Sequence, residues 1–180
     1  MSSWTRGSTS RRRTWRTWMP FGWKGAICPG NEETGRKRMK LASLAYMEEV
    51  KKRSNADPQY LELARGLNAS YTLVLEPEPD KGVPDQIVVG FDNVDGKINE
   101  VWLGERPTDF TLSAPYGVWV DILRGKMGPT KAIASRKLRT KGPFLQLLQG
   151  ANRIVRWVEI LRTIPTEFEG EYAKYNLPGQ

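Results

Sequence analysis

The pattern of apolar and polar positions predicts two helices at the start of the folded part. Over residues 41–53 apolar side chains recur at helical spacing, with glutamate and lysine side chains on the opposite face. Asp57 then provides a capping side chain, and Pro58 suits the first position of a second helix. We expect this second helix to end near Gly66.

A run of strands follows. Alternation of apolar and polar residues predicts strands over residues 69–76, 86–91, 97–105 and 108–114. The prolines of residues 77–84 indicate a turn, and the DNVDG sequence of residues 92–96 is typical of a hairpin turn. In the return strand the alternation places Val101 and Leu103 on one face and Ile98 and Trp102 on the other.

The C-terminal half returns to helical spacing. Val118, Trp119, Ile122 and Leu123 share one helix face, and Pro129 opens a second, shorter helix that carries Ala132 and Ile133. Residues 137–141 alternate as a strand, and a long helix extends from residue 143 to about residue 164. Its apolar sector is unusually wide, so the helix either is fully buried, for example against a dimer partner, or lines a cavity. Gly150 predicts a kink or break in it.

Charge separates the chain into parts. The net charge is +8, but residues 1–38 hold nine Lys/Arg and two Glu, which leaves the remainder near neutral. We expect a basic Trp/Arg-rich tail over residues 1–38, a folded domain over residues 39–164 and a flexible tail over residues 165–180. The first segment is interpreted in three ways: an inert tail, a functional basic arm, or sequence upstream of a true start at Met39.

Residue usage narrows the chemistry. One cysteine and no histidine exclude an intramolecular disulfide, a zinc site of the usual Cys/His type and Ser-His-Asp or Cys-His catalysis. The paired carboxylates lie in predicted turns or on polar faces, so we expect no enzyme and no metal site. No apolar run approaches the ~20 residues of a membrane span.

One motif carries a family resemblance. The sequences GKMGP at residues 125–129 and KLRTKG at residues 137–142, with Ala132 between them, resemble the core motif of the sterol-carrier-protein-2-like family. Arg136 stands where that family usually has glycine, and Thr140 where it usually has an apolar residue. The resemblance implies an α/β (α+β) fold with a mixed sheet of about five strands, helices mainly on one face, and a hydrophobic tunnel.

The resemblance also implies a function. It predicts non-catalytic binding of a lipid such as a fatty acid, a fatty acyl-CoA or a sterol-like molecule, without a cofactor, and leaves open whether the lipid is transferred between membranes or only held. We expect a cytoplasmic protein that contacts membrane surfaces transiently, with no nucleic acid bound by the folded domain. The alternative is a nucleic-acid or anionic-membrane adaptor that uses the basic arm, and deletion of residues 1–38 distinguishes the two.

Within the arrangement that the family implies, the tunnel wall is predicted from the inward faces of strands and helices. The predicted lipid-binding residues are Ile87, Val89, Phe91, Val101, Leu103, Phe110, Leu112, Trp119, Ile122, Leu123, Ile133, Phe144, Leu147 and Leu148.

Overall fold

The computed structural model describes residues 38–176, apart from the side chain of Phe144. The predicted basic tail therefore lies outside the described residues except for Arg38, as do residues 177–180 of the predicted C-terminal tail. The described residues form a five-stranded mixed sheet, a separate pair of short strands and several helices. This confirms the predicted α/β (α+β) fold class.

The helices have bounds close to those that the hydrophobic pattern predicts. They lie at Leu44–Ala56 (α1), Pro58–Ala64 (α2), Tyr116–Leu123 (α3), Pro129–Ala134 (α4), Phe144–Gln149 (α5) and Ala151–Arg162 (α6). The strands lie at Met39–Lys40 (β1), Ala69–Glu76 (β2), Ile87–Val94 (β3), Lys97–Leu103 (β4), Phe110–Pro115 (β5), Arg139–Lys141 (β6) and Thr166–Glu167 (β7). Short 3-10 helices lie at Pro79–Lys81 and Gly170–Tyr175.

Side-chain caps start the first two helices. The hydroxyl of Ser43 accepts a hydrogen bond from the Tyr46 N–H group at 3.2 Å, and α1 therefore begins at residue 44 rather than 41. The Asp57 carboxylate accepts a hydrogen bond from the Tyr60 N–H group at 2.7 Å, which confirms the predicted cap of α2.

The sheet has the strand order β4-β3-β2-β5-β6. Strands β2 and β5 are parallel, and the other neighbouring pairs are antiparallel. The hairpin between β3 and β4 turns at Asp95 and Gly96, whose φ angles of 49° and 81° suit a tight two-residue turn. The strand before it extends to Val94, beyond the predicted end at residue 91.

The inner face of the sheet is arranged in three rows of side chains that cross β3, β2 and β5. The strand register aligns each row. The aromatic row consists of Phe91, Tyr71 and Phe110, the aliphatic row of Val89, Leu73 and Leu112, and the third row of Ile87, Leu75 and Ala114. The rings of the aromatic row stack, with Tyr71 5.0 Å from both Phe91 and Phe110 between ring centroids.

A β-bulge corrects the predicted faces of β4. The register shifts between Phe91 and Asn93, so Ile98 pairs with Asn93 and turns into the core, whereas Trp102 pairs with Gly90 on the outer face. A Cβ atom on Gly90 would lie 2.3 Å from the Trp102 ring, so this contact requires glycine. Ile98 and Trp102 therefore do not share a face, because a bulge adds one residue to the period of two.

Helix α6 is the centre of the helical layer. It packs against α1, α2, α3 and α4, and its Trp157 ring stacks on Phe91 of the sheet. The chain is broken into α5 and α6 at Gly150, as predicted. The wide apolar sector of the long predicted helix is thus explained in part by contacts on several sides of α6.

The C-terminal segment differs from the predicted flexible tail. Strand β7 pairs in parallel with β1, and the Phe168 side chain is buried. The Glu78 carboxylate accepts hydrogen bonds from the hydroxyl of Tyr172 at 2.9 Å and from the N–H group of Gly117 at 2.6 Å. Residues 165–176 therefore pack on the domain. The segment is polar on average, but its three aromatic side chains, Phe168, Tyr172 and Tyr175, contact the core.

The motif strand is shorter than predicted. Strand β6 covers only Arg139–Lys141, and Leu138 lies before it as a buried side chain. Arg136 adopts a φ angle of 57°, in the left-handed region that favours glycine. The substitution of arginine for the glycine of the family motif therefore leaves the backbone turn in place.

Candidate functional site

An apolar cavity of about 50 Å³ lies between the inner face of the sheet and the helices. Its sheet side is formed by Tyr71 and Phe91 of the aromatic row and by Leu73 and Leu112 of the aliphatic row. We call this space the main cavity. Along β2, the sheet side of this cavity therefore changes from aromatic side chains near Tyr71 to aliphatic side chains near Leu73.

Helices α2 to α6 and the motif loop close the main cavity. Apart from Tyr60 of α2 and Arg153 of α6, the contributing side chains are Trp119 and Ile122 of α3, Pro129 of α4, Leu138 of the loop, Leu147 of α5, and Ile154, Trp157 and Val158 of α6. Except for the indole N–H groups of the tryptophans, these groups are apolar. The wall therefore suits a hydrocarbon chain.

A second cavity of about 30 Å³ continues toward α1. Leu75 and Val89 of the sheet form part of its wall, together with Tyr46 and Met47 of α1. We call it the inner cavity.

The two cavities share one partition. Leu73, Trp119 and Trp157 line both of them. The Trp119 indole N–H group donates a hydrogen bond to the Val74 carbonyl at 3.2 Å, which holds this ring against the sheet. Trp157 stacks on Phe91 with ring centroids 5.1 Å apart. If the rings of Trp119 and Trp157 moved aside, the main cavity and the inner cavity would form one longer space.

Polar groups concentrate at the aromatic end of the main cavity. The Tyr60 hydroxyl donates a hydrogen bond to Oδ1 of the buried Asn93 at 3.0 Å, and Nη2 of Arg153 donates to the Tyr71 hydroxyl at 3.4 Å. All four residues line the main cavity. Burial raises the pKa of both Tyr60 and Tyr71 above the ordinary value of tyrosine, so both phenols are neutral at physiological pH.

Seven of the fourteen predicted site residues line these cavities. Phe91, Leu112, Trp119, Ile122 and Leu147 line the main cavity, and Val89, Leu123 and again Trp119 line the inner cavity. Contact with a ligand stays a prediction for all of them.

The other predicted residues lie elsewhere. Val101 and Phe110 are buried beside the cavities without lining them, Ile133 is half-buried against the core, and the Phe144 side chain lies outside the described residues. Ile87 and Leu103 border an open depression beside residues 40–44.

Two predicted wall residues are exposed. Leu103 is 54% exposed at the last position of β4, which is the edge strand of the sheet. Leu148 is 43% exposed because its neighbour Leu147 occupies the inward position, and one residue of helix rotates a side chain by about 100°.

Sequence reasoning missed the polar end and two residues of the partition, Leu73 and Trp157. The pattern predicts only packing for Tyr60, Tyr71 belongs to the predicted alternation of β2, and Trp157 lies in the wide apolar sector. Arg153 is a charged residue outside that apolar sector, where no site residue is predicted. The register of the aromatic row and the packing of α6 against it bring these side chains together, and neither has a local signal in the sequence.

Two other kinds of site are absent from residues 38–176. No group of three or more His, Cys, Asp or Glu side chains in this part is placed to hold a metal ion. None of the helices in the same range has the length and apolar character needed to cross a membrane.

Comparison with known proteins gives two kinds of match. Residues 47–154, more than half of the chain, match the family described as the SCP-2 sterol transfer family. A crystal structure of sterol carrier protein 2 is 23% identical, with a TM-score of 0.63, and the match covers 69% of this chain and 99% of that one. The search of curated proteins returned no match.

A second solved structure is similar over the same share of the chain. It is the solution structure of a conserved hypothetical protein from Thermus thermophilus, described as possibly a sterol carrier protein. It is 25% identical, with a TM-score of 0.63, and the match covers 69% of this chain and 90% of that one.

Proposed function

The chain belongs to the SCP-2 sterol transfer family. We propose that it binds the apolar part of a lipid between the sheet and α6 and carries the lipid without changing it chemically. One observation supports this proposal most directly. The main cavity and the inner cavity are adjacent, have largely apolar walls and share Leu73, Trp119 and Trp157. A hydrocarbon chain that displaces the partition rings would lie across both.

The cavities are smaller than a lipid needs. Pockets that enclose drug-sized ligands measure about 300–1,000 Å³, whereas these measure about 50 and 30 Å³. Keeping an empty space of ~300 Å³ would cost about 7 kcal/mol at ~24 cal/mol per Å³, which is comparable to the whole stability of a domain. We therefore propose that the unliganded wall is partly collapsed and that the lipid opens it.

Burial of the ligand's hydrocarbon chain supplies the free energy that opens the collapsed wall. Each methylene group removed from water contributes about 0.8 kcal/mol, so a chain of ~12 methylenes gives about 10 kcal/mol before the costs of association and opening. The net affinity should therefore be micromolar or somewhat tighter.

Helix α5 is the proposed entrance. It has one turn and a half, lies between Pro143 and Gly150, and exposes 68% of Leu145. Among the described side chains of α5, Leu147 lines the main cavity. Of the described side chains of α5 only Leu147 is buried, and a short segment of this kind opens at low free-energy cost, which suits an entrance. Cytoplasmic location and transient contact with membrane surfaces stay predictions from the sequence.

The proposal is tested with purified full-length protein. Native mass spectrometry should detect a co-purified lipid, and a brominated fatty acid, which quenches tryptophan over short range, should quench the protein's emission in a saturable way. Trp119→Phe should reduce the quenched amplitude, and Trp102→Phe on the outer face should not. Absence of both lipid and saturable quenching would refute the proposed function.

A further inference from the structure

The Arg153 guanidinium is a cation at the wall of an apolar cavity. It lines the main cavity and is half-buried, and its Nη2 group lies 3.4 Å from the Tyr71 hydroxyl. Among the described residues, no carboxylate lies within ion-pair distance of it, whereas Arg156, one turn later, pairs with both Asp57 and Glu159. Arg153 therefore has charge and donor groups available for a ligand.

The position of this guanidinium depends on Gly150. A Cβ atom at Gly150 would lie 2.4 Å from Nη2 of Arg153, so the side chain folds back over a surface that only glycine leaves open. The Tyr71 hydroxyl provides the second contact. Gly150 thus leaves room for the guanidinium beside the aromatic row, and the Tyr71 hydroxyl accepts a hydrogen bond from it there.

The wall of the main cavity presents further hydrogen-bond donors. The described hydrogen bonds engage Oδ1 of Asn93 and not its Nδ2 group. The Trp157 indole N–H group is buried and has no partner within the described part of the chain. Among the described residues that line the main cavity, none is Asp or Glu. A donor-rich, positively charged end fits a ligand group that is an acceptor and an anion.

We propose that Arg153 binds the carboxylate of a long-chain carboxylic acid at this end of the main cavity. This inference rests on the proposed function and specifies the substrate class. The planar guanidinium matches a carboxylate through two parallel hydrogen bonds. The hydrocarbon chain then runs along β2 from Tyr71 past Leu73 to Leu75, about 13 Å of strand, and ends in the inner cavity.

The proposal predicts preference for a charged head group. Hydrogen bonds to charged groups contribute more than neutral ones, so the fatty acid should bind about tenfold or more tightly than the alcohol of equal chain length. Neutral lipids bury the same chain but leave the cation without an acceptor. A sterol, with one hydroxyl group, should behave like the alcohol.

The experiment compares a saturated fatty acid with the alcohol of the same length, at a pH at which the acid is ionised. Arg153→Gln removes the charge and keeps a polar side chain, and Arg153→Lys keeps the charge without the planar fork. Arg106→Gln is the matched control, because Arg106 stacks over Trp102 on the outer face, 4.7 Å from its ring. Arg153→Gln should abolish the preference for the acid while alcohol affinity stays within about twofold of wild type.

The other two variants complete the comparison. Arg153→Lys should retain part of the preference, and Arg106→Gln all of it. An acid-to-alcohol ratio in Arg153→Gln equal to that of wild type would overturn the inference and leave the proposed function standing. Failure of wild type to bind either compound would instead refute the proposed function and this inference with it.

A second measurement does not depend on affinity. NMR titration of a carboxyl-labelled fatty acid in the complex should show a carboxyl pKa below its value in water, because the guanidinium favours the ionised form. In Arg153→Gln this pKa should rise relative to wild type. A bound carboxyl group with the same pKa in both proteins would contradict the contact.

Discussion

The indole ring of Trp157 stacks on the phenyl ring of Phe91, with ring centroids 5.1 Å apart and an angle of 30° between the planes. This contact places α6 on the aromatic row of the sheet. It also places Trp157 in the partition between the main cavity and the inner cavity. One side chain thus contributes both to the packing of the helical layer and to the length of the enclosed space.

Trp157→Leu should join the two cavities. The smaller side chain opens the partition, so the optimal ligand chain should become longer by several methylenes. Loss of the ring should lower the free energy of unfolding by about 2–4 kcal/mol, since large-to-small core changes remove contacts and leave a void. Urea unfolding and affinities over a series of chain lengths measure the two effects.

Trp102→Leu is the control for that variant. Trp102 is also buried but packs over Gly90 on the outer face. It should be destabilised as well, with an unchanged chain-length profile. An equal shift of the profile in both variants would mean that general loosening, and not the partition, determines ligand length.

Leu147→Ala and Leu148→Ala should differ, although the residues are adjacent. Leu147 is 2% exposed and lines the main cavity, whereas Leu148 points largely to solvent. We expect Leu147→Ala to cost about 1–3 kcal/mol, less than a solid-core leucine because one side already borders a void, and to alter chain-length preference. Leu148→Ala should cost less than about 1 kcal/mol.

The same two measurements, urea unfolding and the chain-length series, distinguish these positions. A changed length profile in Leu148→Ala would reinstate this residue as part of the wall. A destabilised Leu147→Ala with the wild-type profile would mean that Leu147 only packs.

Arg136→Gly should stabilise the protein. Arg136 has a φ angle of 57°, and a left-handed conformation costs a residue with a side chain about 1–2 kcal/mol relative to the favoured region. Glycine avoids this cost but loses more entropy on folding, so the net gain should be up to about 1 kcal/mol. Thermal and urea unfolding measure it.

Lys137→Gly is the adjacent control for the backbone effect. Lys137 is not among the described residues with positive φ, so glycine should destabilise there by about 0.5–1 kcal/mol. Destabilisation by Arg136→Gly of similar size would show that the arginine side chain has contacts that outweigh its backbone strain.

Asp57→Asn should reduce stability at neutral pH and flatten its acid dependence. Hydrogen bonds from Arg156, with Nη2 2.6 Å from Oδ2, hold the pKa of Asp57 below its ordinary value. The unfolded chain has the ordinary value of about 3.9, so the contribution is complete above it and is lost as pH falls through the lower folded-state pKa. Asparagine keeps the capping oxygen and loses the charge, at a cost of about 1 kcal/mol.

Urea unfolding from neutral to acid pH tests this prediction. The difference between wild type and Asp57→Asn should be constant near neutrality and shrink below about pH 4. Asp85→Asn, at an exposed loop position, is the control and should follow wild type at every pH. A difference that persists unchanged in acid would assign the effect to geometry rather than to the ionised pair.

Sequence reasoning succeeded where one residue acts on its immediate neighbours. The Asp57-Pro58 start of α2, the tight turn at Asp95 and Gly96, and the break at Gly150 are all predicted, and each is observed. It failed at β4, where the bulge between the Phe91 and Asn93 pairings turned Ile98 into the core. A bulge arises from how two strands pair, so the alternation of one strand does not reveal it.

The sequence by itself determined the types of the elements and the apolar faces of the strands, because helical period, strand alternation and turn chemistry act over a few residues. The mixed sheet was implied by the resemblance of residues 125–142 to the family motif. Only the tertiary structure decided which apolar side chains line the cavities, since burial depends on what lies opposite. The edge position exposes Leu103, one step of helix separates Leu147 from Leu148, and the meeting of α6 with the aromatic row brings Arg153 to Tyr71. That meeting joins residues 82 positions apart, at a distance over which no local pattern operates.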